Sequence, residues 1–201
     1  PHFYTQWGAT NTPKFVAEVH GETKKIFGWE TASTDNAYKC FLSQFVPAIV
    51  SFTKKIGIDQ KCYYHISDEP HSKHLSHYIE CKNQIEPYLN GCKIIDALSD
   101  FEFYKSGAIK KPVAFLGSIK PFVENKVEGL WAYYSNACAG KNGTGRCLAM
   151  PMVRTRILGV LLYYLNIEGF LHWGYNFYYT QLSKSLIDPY KISDAGGKFP
   201  S

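Results

Sequence analysis

A chain of 201 residues with 45% hydrophobic residues can bury a substantial core and corresponds to about one domain. The net charge of +5 comes from scattered basic residues, which favours a solvated surface over nucleic-acid binding. No apolar run reaches the roughly 18 residues of a membrane span, so we expect none. Aromatic residues make up 16% of the chain, a level typical of sites that stack on flat apolar faces such as sugar rings.

The first half of the chain alternates predicted helices and strands. Apolar residues recur at helical spacing over 38–56, and Gly57 follows as a C-cap. Pro47 lies inside this run, so we expect the helix to end early or to kink there. A strand over 61–66 and a helix over 71–89 come next.

The second half continues the same pattern. The helix over 151–165 is predicted to carry an apolar face that includes Val153, Ile157, Val160, Leu161 and Tyr164. From residue 188 onward the chain is polar and glycine-rich, so the tail 188–201 is predicted to be irregular. The remaining predicted elements are strands over 93–98, 112–116, 129–134 and 169–176, and a short helix over 119–126.

Strands that alternate with helices indicate the α/β class, with a parallel sheet and helical crossovers. Five strands are clear, and Phe3 and Tyr4 read as the end of another. A closed (β/α)8 barrel takes about 250 residues. We therefore predict a partial (β/α)8 TIM-type barrel, in which residues 1–201 form the C-terminal portion and the first strands are missing. The alternative is a complete, open doubly wound sheet.

The six cysteines include no Cys-x-x-Cys pair, which argues against a zinc ribbon or a thioredoxin-like motif. Cys40 and Cys62 fall in a predicted helix and a predicted strand, so we expect buried thiols. Cys138 and Cys147 bracket a glycine-rich loop and could pair. This usage slightly favours a cytoplasmic over a secreted location, without deciding it.

The segment Cys62–Pro70 is the most informative part of the chain. An apolar run ends there in two adjacent carboxylates, Asp68 and Glu69, and Pro70 stops further strand pairing. Acids that follow a buried strand are costly unless they pair, bind a ligand or catalyse, and barrel active sites lie at the carboxyl ends of the strands. An N-cap at Asp68 for the following helix explains the same residues and is compatible with catalysis.

Two neighbouring carboxylates suit one kind of glycoside hydrolysis better than another. Adjacent acids are awkwardly placed as nucleophile and acid on opposite sides of one bond. They suit a substrate-assisted mechanism, in which the 2-acetamido oxygen of the sugar attacks, one acid orients the amide and the other protonates the leaving group. This chemistry needs no cofactor and no metal.

Further candidate residues lie near the predicted strand ends. His65 could bind a hydroxyl or tune an acid, and a purely structural histidine explains it equally well. Aromatic core packing is expected to account for about half of the rings at these positions. The remaining candidates for contact with a sugar are Trp7, Trp131, Tyr133, Trp173, Tyr175 and Asn176.

Three histidines in the predicted helix 71–89 provide a weaker alternative. His71, His74 and His77 follow i, i+3, i+6 spacing, which spreads the outer two around the helix by about 120°. Ordinary surface histidines are the favoured interpretation. A metal-dependent hydrolase that uses two of them is the minor one.

The segments Tyr64–Pro70, Phe3–Gly8 and Gly169–Phe177 resemble the catalytic domain of family 123 glycoside hydrolases, which are β-N-acetylgalactosaminidases and their relatives. The resemblance runs along the whole chain. It implies a (β/α)8 barrel and a retaining, exo-acting hydrolysis through an oxazoline-type intermediate. Asp68 would polarise the acetamido group and Glu69 would serve as general acid and then base. Trp173 and Asn176 would belong to the contribution of the final strand.

The resemblance also implies two partners. One is a glycan with a terminal 2-acetamido sugar, and the other is the remainder of the same protein, since the usual β-sandwich and the early barrel strands are missing. A fragment of this kind could be inactive by itself. The alternative function is a non-catalytic carbohydrate-binding or scaffolding fragment that keeps the aromatic pocket.

Overall fold

A computed structural model describes residues 2–89, 91–135, 151–172, 174, 178–180 and 185–192. Short 3-10 turns occur at Asp59–Lys61, Ser72–His74, Glu86–Leu89 and Leu116–Ser118. The strands are β1 (Phe15–Val19), β2 (Glu22–Phe27), β3 (Tyr63–Tyr64), β4 (Lys93–Ile94), β5 (Asp96–Leu98), β6 (Pro112–Phe115), β7 (Trp131–Tyr133) and β8 (Gly169–Leu171). The helices are α1 (Asn36–Lys55), α2 (Leu75–Ile85), α3 (Glu102–Lys105), α4 (Lys120–Glu124) and α5 (Met152–Tyr164).

A parallel sheet follows the order of the chain. Strands β5, β6, β7 and β8 pair side by side in parallel, and β3 pairs in parallel with β4. Only Ile95 separates β4 from β5, and its N–H donates to Tyr64 O at 3.0 Å. The amino-terminal segment extends the series, since Tyr4 N–H donates to Ile66 O at 3.1 Å. The predicted α/β class with a parallel sheet is thereby confirmed.

The order of the strands bears on the two predicted architectures. A doubly wound sheet reverses its strand order at a switch point, and the described strands show no such reversal. Strands in chain order are what a segment of a (β/α)8 barrel provides. The described residues contain no closed sheet, so the barrel itself stays a prediction.

The prediction that helix α1 ends early at Pro47 was wrong, whereas a kink there stays a prediction. The helix runs without a break from Asn36 to Lys55, with Pro47 inside it. A proline removes one backbone donor, and here the ring lies on the exposed side while Leu42, Val46 and Val50 are buried on the other. Burial of the apolar face stabilises the helix enough to compensate for the backbone hydrogen bond that Pro47 cannot make. The predicted C-cap at Gly57 is confirmed by its φ of 71° and its N–H bond to Lys54 O at 3.0 Å.

The hairpin of β1 and β2 was not predicted. His20 and Gly21 connect the strands with φ values of 54° and 81°, as the two-residue turns of hairpins require. Phe15 lies 5.0 Å from Phe41 between ring centroids, and Phe27 lies 5.0 Å from Tyr38. The hairpin therefore packs on helix α1 through aromatic rings.

Two further expectations were wrong. The predicted apolar face of α5 is exposed, for example at Val153 (68%) and Tyr164 (81%), because no described element covers it. Only Leu158 of this helix is buried. Cys40 is exposed, since its position on α1 faces solvent, and Cys62 is half-buried. Cys138 and Cys147 lie outside the described residues, as does the tail beyond Ile192.

The two faces of the parallel sheet differ. A large core lies between one face and helices α1 and α2, and it includes Tyr38, Leu42, Tyr78 and Ile85. The other face carries a small cluster of Ile95, Ala97, Val113 and Tyr133, flanked by Tyr63, Phe115, Trp131 and Leu171. The second face is the one on which a barrel would close. None of the described helices has the length and apolar character to cross a membrane.

Candidate active site

The two acids lie at the carboxyl edge of the parallel sheet, where the chain leaves β3. Backbone bonds hold this segment on both sides: Trp7 N–H donates to Asp68 O at 2.8 Å, and Glu69 N–H donates to Ala97 O at 2.8 Å. The Ser67 hydroxyl donates to Thr5 O at 2.7 Å. The acids are therefore fixed between the amino-terminal segment and β5.

The backbone turns at the second acid. Glu69 has φ 45°, in the left-handed region that residues other than glycine rarely adopt. Neighbouring side chains on a regular strand point to opposite faces. The turn at Glu69 breaks this alternation, so Asp68 and Glu69 can serve the same edge of the sheet.

Asp68 is half-buried and is held by an amide. The Gln6 side chain donates from Nε2 to Asp68 Oδ2 at 2.8 Å. Burial raises the pKa of the Asp68 carboxyl, the bond from Gln6 opposes this rise, and the negative charge of Glu69 adds to it. The positive charge that His65 can carry favours the ionised form of Asp68.

The N-cap interpretation of Asp68 is wrong. The helical turn that follows begins after His71, with no side-chain hydrogen bond at its cap. The backbone N–H of Ser72 instead donates to Asp100 Oδ2 at 3.1 Å. Asp100 therefore supplies the acceptor at the start of this turn, and Asp68 contacts Gln6.

Glu69 is held by a phenol from across the sheet. The Tyr133 hydroxyl donates to Glu69 Oε1, and Tyr133 belongs to β7, beyond β5 and β6 in the sheet. Burial raises the pKa of Tyr133 far above its ordinary value, and the bond to Glu69 and the charge of Asp68 raise it further. Tyr133 therefore stays a hydrogen-bond donor, and it interacts with both carboxylates.

A third carboxylate, that of Asp96, lies in the core near this pair. Asp96 is fully buried on β5 and accepts from the backbone N–H of Ile66 at 2.9 Å and from the Tyr78 hydroxyl. His65 Nδ1 lies 3.5 Å from Asp96 Oδ1, slightly beyond ordinary hydrogen-bond length. Asp96 was not predicted as a site residue. The available signal was an acid inside the apolar run 94–98.

The other residues predicted to contact a sugar lie in different parts of the structure. Trp7 is 57% exposed, and its backbone N–H donates to the backbone oxygen of Asp68, so its backbone lies beside the acids while its side chain is at the surface. Trp131 lies at the amino end of β7, where its ring centroid is 5.0 Å from that of Tyr63, and its contact with a sugar stays a prediction. Sugar contacts by Trp173, Tyr175 and Asn176 stay predictions, because these residues lie outside the described part of the chain.

The three helix histidines do not converge. The rings of His71 and His74 are 6.3 Å apart, whereas His77 Nε2 lies 3.0 Å from Ser33 Oγ and 3.1 Å from Ala9 O. The described residues contain no group of three or more side chains that could hold a metal ion.

Comparisons with known proteins place the chain in a family. Among solved structures, a family 123 glycoside hydrolase from Clostridium perfringens, analysed for glycolipid glycan hydrolysis, is similar with a TM-score of 0.55 and 16% identity. The match covers 82% of this chain but only 29% of that one, and at this identity it concerns the fold alone. A search of curated proteins gave no match. The family model of the glycoside hydrolase 123 catalytic domain matches residues 1–201, so the chain belongs to this family.

Proposed function

We propose that the chain forms part of a retaining exo-β-N-acetylhexosaminidase that acts on terminal N-acetylgalactosamine through substrate-assisted catalysis. One observation carries the proposal: Asp68 and Glu69 lie side by side at the carboxyl edge of the parallel sheet, with different partners. An amide donor from Gln6 contacts Asp68, and a phenol donor from Tyr133 contacts Glu69. Different partners support different roles for two adjacent acids.

In the first step, the carbonyl oxygen of the 2-acetamido group attacks C1 while the bond from C1 to the leaving oxygen breaks. Glu69 gives its proton to that oxygen. Positive charge develops on the acetamido nitrogen, and the ionised carboxylate of Asp68 stabilises it through the N–H. The products of this step are an oxazoline-type intermediate and the released alcohol.

In the second step, Glu69 accepts a proton from water as the water oxygen attacks C1. The bond between C1 and the oxazoline oxygen breaks and the acetamide is restored. Two displacements at C1 retain the β configuration.

The rest of the site follows from the fold. The exposed ring of Trp7 is available to stack on a sugar face near the acids. The remainder of the same protein would supply the strands that complete the barrel and cover the apolar residues of α5, since the chain spans only 29% of its family 123 neighbour. Because that neighbour was analysed for glycolipid glycan hydrolysis, a glycolipid glycan is a natural first substrate to test.

The test compares p-nitrophenyl β-glycosides with and without the 2-acetamido group, using the intact protein. Glu69→Gln should lower kcat by about 100- to 10,000-fold on substrates with poor leaving groups. Asp68→Asn should lower kcat and weaken binding of the thiazoline analogue of the intermediate. Glu22→Gln and Asp59→Asn, which alter an exposed acid and a half-buried acid elsewhere, are the matched controls.

Two results would contradict the proposal. Equal turnover of the galactoside without the acetamido group would remove substrate assistance. Unchanged turnover of substrates with poor leaving groups in Glu69→Gln would remove Glu69 from the role of acid. The exposed Trp7 would equally suit the alternative function, a carbohydrate-binding fragment. Glycan binding without release of p-nitrophenol would favour that alternative.

A further inference from the structure

We infer that Asp96 is a positioning residue: it holds the Nδ1–H group of His65 and thereby fixes the imidazole beside Asp68. The inference rests on the proposed function, in which Asp68 must stay ionised next to Glu69. Asp96 itself does not touch the substrate. It acts through His65.

Burial makes Asp96 an unusual residue in the core. It has no solvent exposure, and its neighbours in the chain, Ile95 and Ala97, are buried apolar residues. A carboxylate in such a place loses its hydration and stabilises a fold poorly compared with a well-packed apolar side chain. A structural role alone therefore gives a weak account of Asp96.

Two contacts of the Asp96 carboxylate are structural, and the third concerns the site. The backbone N–H of Ile66 and the hydroxyl of Tyr78 donate to its carboxylate. Both donors are neutral and they bind different oxygens, the Ile66 N–H at Oδ1 and the Tyr78 hydroxyl at Oδ2. An asparagine would keep its amide oxygen for the Ile66 N–H, and its NH2 group would donate to the Tyr78 oxygen in place of the second bond. The third neighbour, His65 Nδ1 at 3.5 Å, is the one that benefits from the negative charge.

His65 has a buried ring nitrogen without a hydrogen-bond partner. Its Nδ1 atom is buried and lacks a hydrogen-bond partner at ordinary distance, and a carboxylate oxygen of Asp96 lies 3.5 Å from it. Hydrogen bonds of catalytic sites are often long without substrate and shorten in the complex. Closing this gap takes a few tenths of an ångström.

The charges at the carboxyl edge of the sheet explain why the contact between His65 and Asp96 would matter. Asp68, Glu69 and Asp96 bring three carboxylates together, and His65 interacts with both Asp68 and Asp96. With its Nδ1–H directed to Asp96, the imidazole keeps a fixed tautomer and orientation, and Nε2 is left to accept from a substrate hydroxyl. Loss of the charge on Asp96 would release this orientation.

The experiment compares Asp96→Asn with Asp100→Asn in the intact protein. Asp100 is the next acid along the chain and accepts from two backbone N–H groups, so it matches the chemical change without a contact to His65. Asp96→Asn should lower kcat on the aryl 2-acetamido galactoside by about 10- to 100-fold with little change in KM, as misplaced catalytic groups do. Asp100→Asn should resemble the wild type, and addition of His65→Gln to Asp96→Asn should cause little further loss. Equal kcat in the two asparagine variants would overturn the inference.

A second measurement does not depend on activity. Nitrogen-15 NMR of histidine-labelled wild-type protein, with His65 assigned from the His65→Gln spectrum, should show Nδ1 protonated at the working pH. An unprotonated Nδ1 would overturn the inference. A protonated Nδ1 in a protein without glycosidase activity would support the contact while removing the proposed function, so the two failures are distinguishable.

Discussion

The phenol of Tyr133 offers a sharp test of how the site holds its acid. Its hydroxyl donates to Glu69 Oε1 from the far side of two intervening strands. With one oxygen of Glu69 engaged, the proton for the leaving group is directed to the other. Tyr133→Phe removes this donor and keeps the ring, which packs 5.4 Å from Phe115.

The structure sets the size of the effect. Glu69 becomes a carboxylate as it gives up its proton, and a hydrogen bond to a charged group contributes about 1.5–3 kcal/mol. Tyr133 is buried, so water replaces this bond poorly. At about 1.4 kcal/mol for each factor of ten, its loss should lower kcat by about 10- to 150-fold. The effect should be largest for leaving groups of high pKa, because these depend most on protonation by Glu69.

Tyr64→Phe is the matched control for this change. Tyr64 is also buried, its hydroxyl lies 3.3 Å from Thr53 Oγ1, and it packs in the core on the helix side of the sheet. The control should lose about 1 kcal/mol of stability without loss of turnover. The assay is a series of aryl glycosides that differ in leaving-group pKa. A loss in Tyr133→Phe that is no greater than in the control, or that is equal across the series, would refute the reasoning.

Two more predictions concern the pH profile and the stability of the fold. Gln6→Leu should move the acidic limb of kcat/KM to higher pH, because the bond from Gln6 lowers the pKa of Asp68. Without this bond, burial raises the pKa of Asp68 further, and the carboxylate is protonated at a higher pH. A pH–rate profile with an unmoved acidic limb would contradict this role. Pro47→Ala should raise the free energy of unfolding by about 1–3 kcal/mol, because an exposed position inside α1 regains a backbone donor. Urea denaturation measures the change, and a loss of stability would show that Pro47 stabilises the chain in another way.

Local patterns were sufficient for much of the fold. The helical spacing and Gly57 located α1, and the apolar run that ends at Asp68 and Glu69 located the carboxyl edge of the sheet. In each case, neighbouring residues in the sequence carry the physical cause. The hairpin of β1 and β2 was missed although His20 and Gly21 form its turn, because its six-residue second strand is almost wholly exposed and lacks an alternating apolar pattern.

The partners of the acids could not be predicted. Gln6 reaches Asp68 across 62 positions of sequence, and Tyr133 reaches Glu69 across 64. Asp96 and Ile66 are 30 positions apart. Such contacts depend on which strands become neighbours, and the periodicity of a single segment contains no information about that.

The left-handed backbone at Glu69 explains how two consecutive residues can serve a single site. On a regular strand, a carboxylate directed to the helix layer would alternate with one directed to the opposite face. The φ of 45° at Glu69 is an unfavourable conformation, and it persists because the N–H of Glu69 is bound to Ala97 O and the C=O of Asp68 to Trp7 N–H. Strain that is held in place by bonds on both sides is typical of functional sites. Gly would adopt the same turn at lower cost, so the presence of a glutamate there indicates that its side chain, and not the turn alone, is needed.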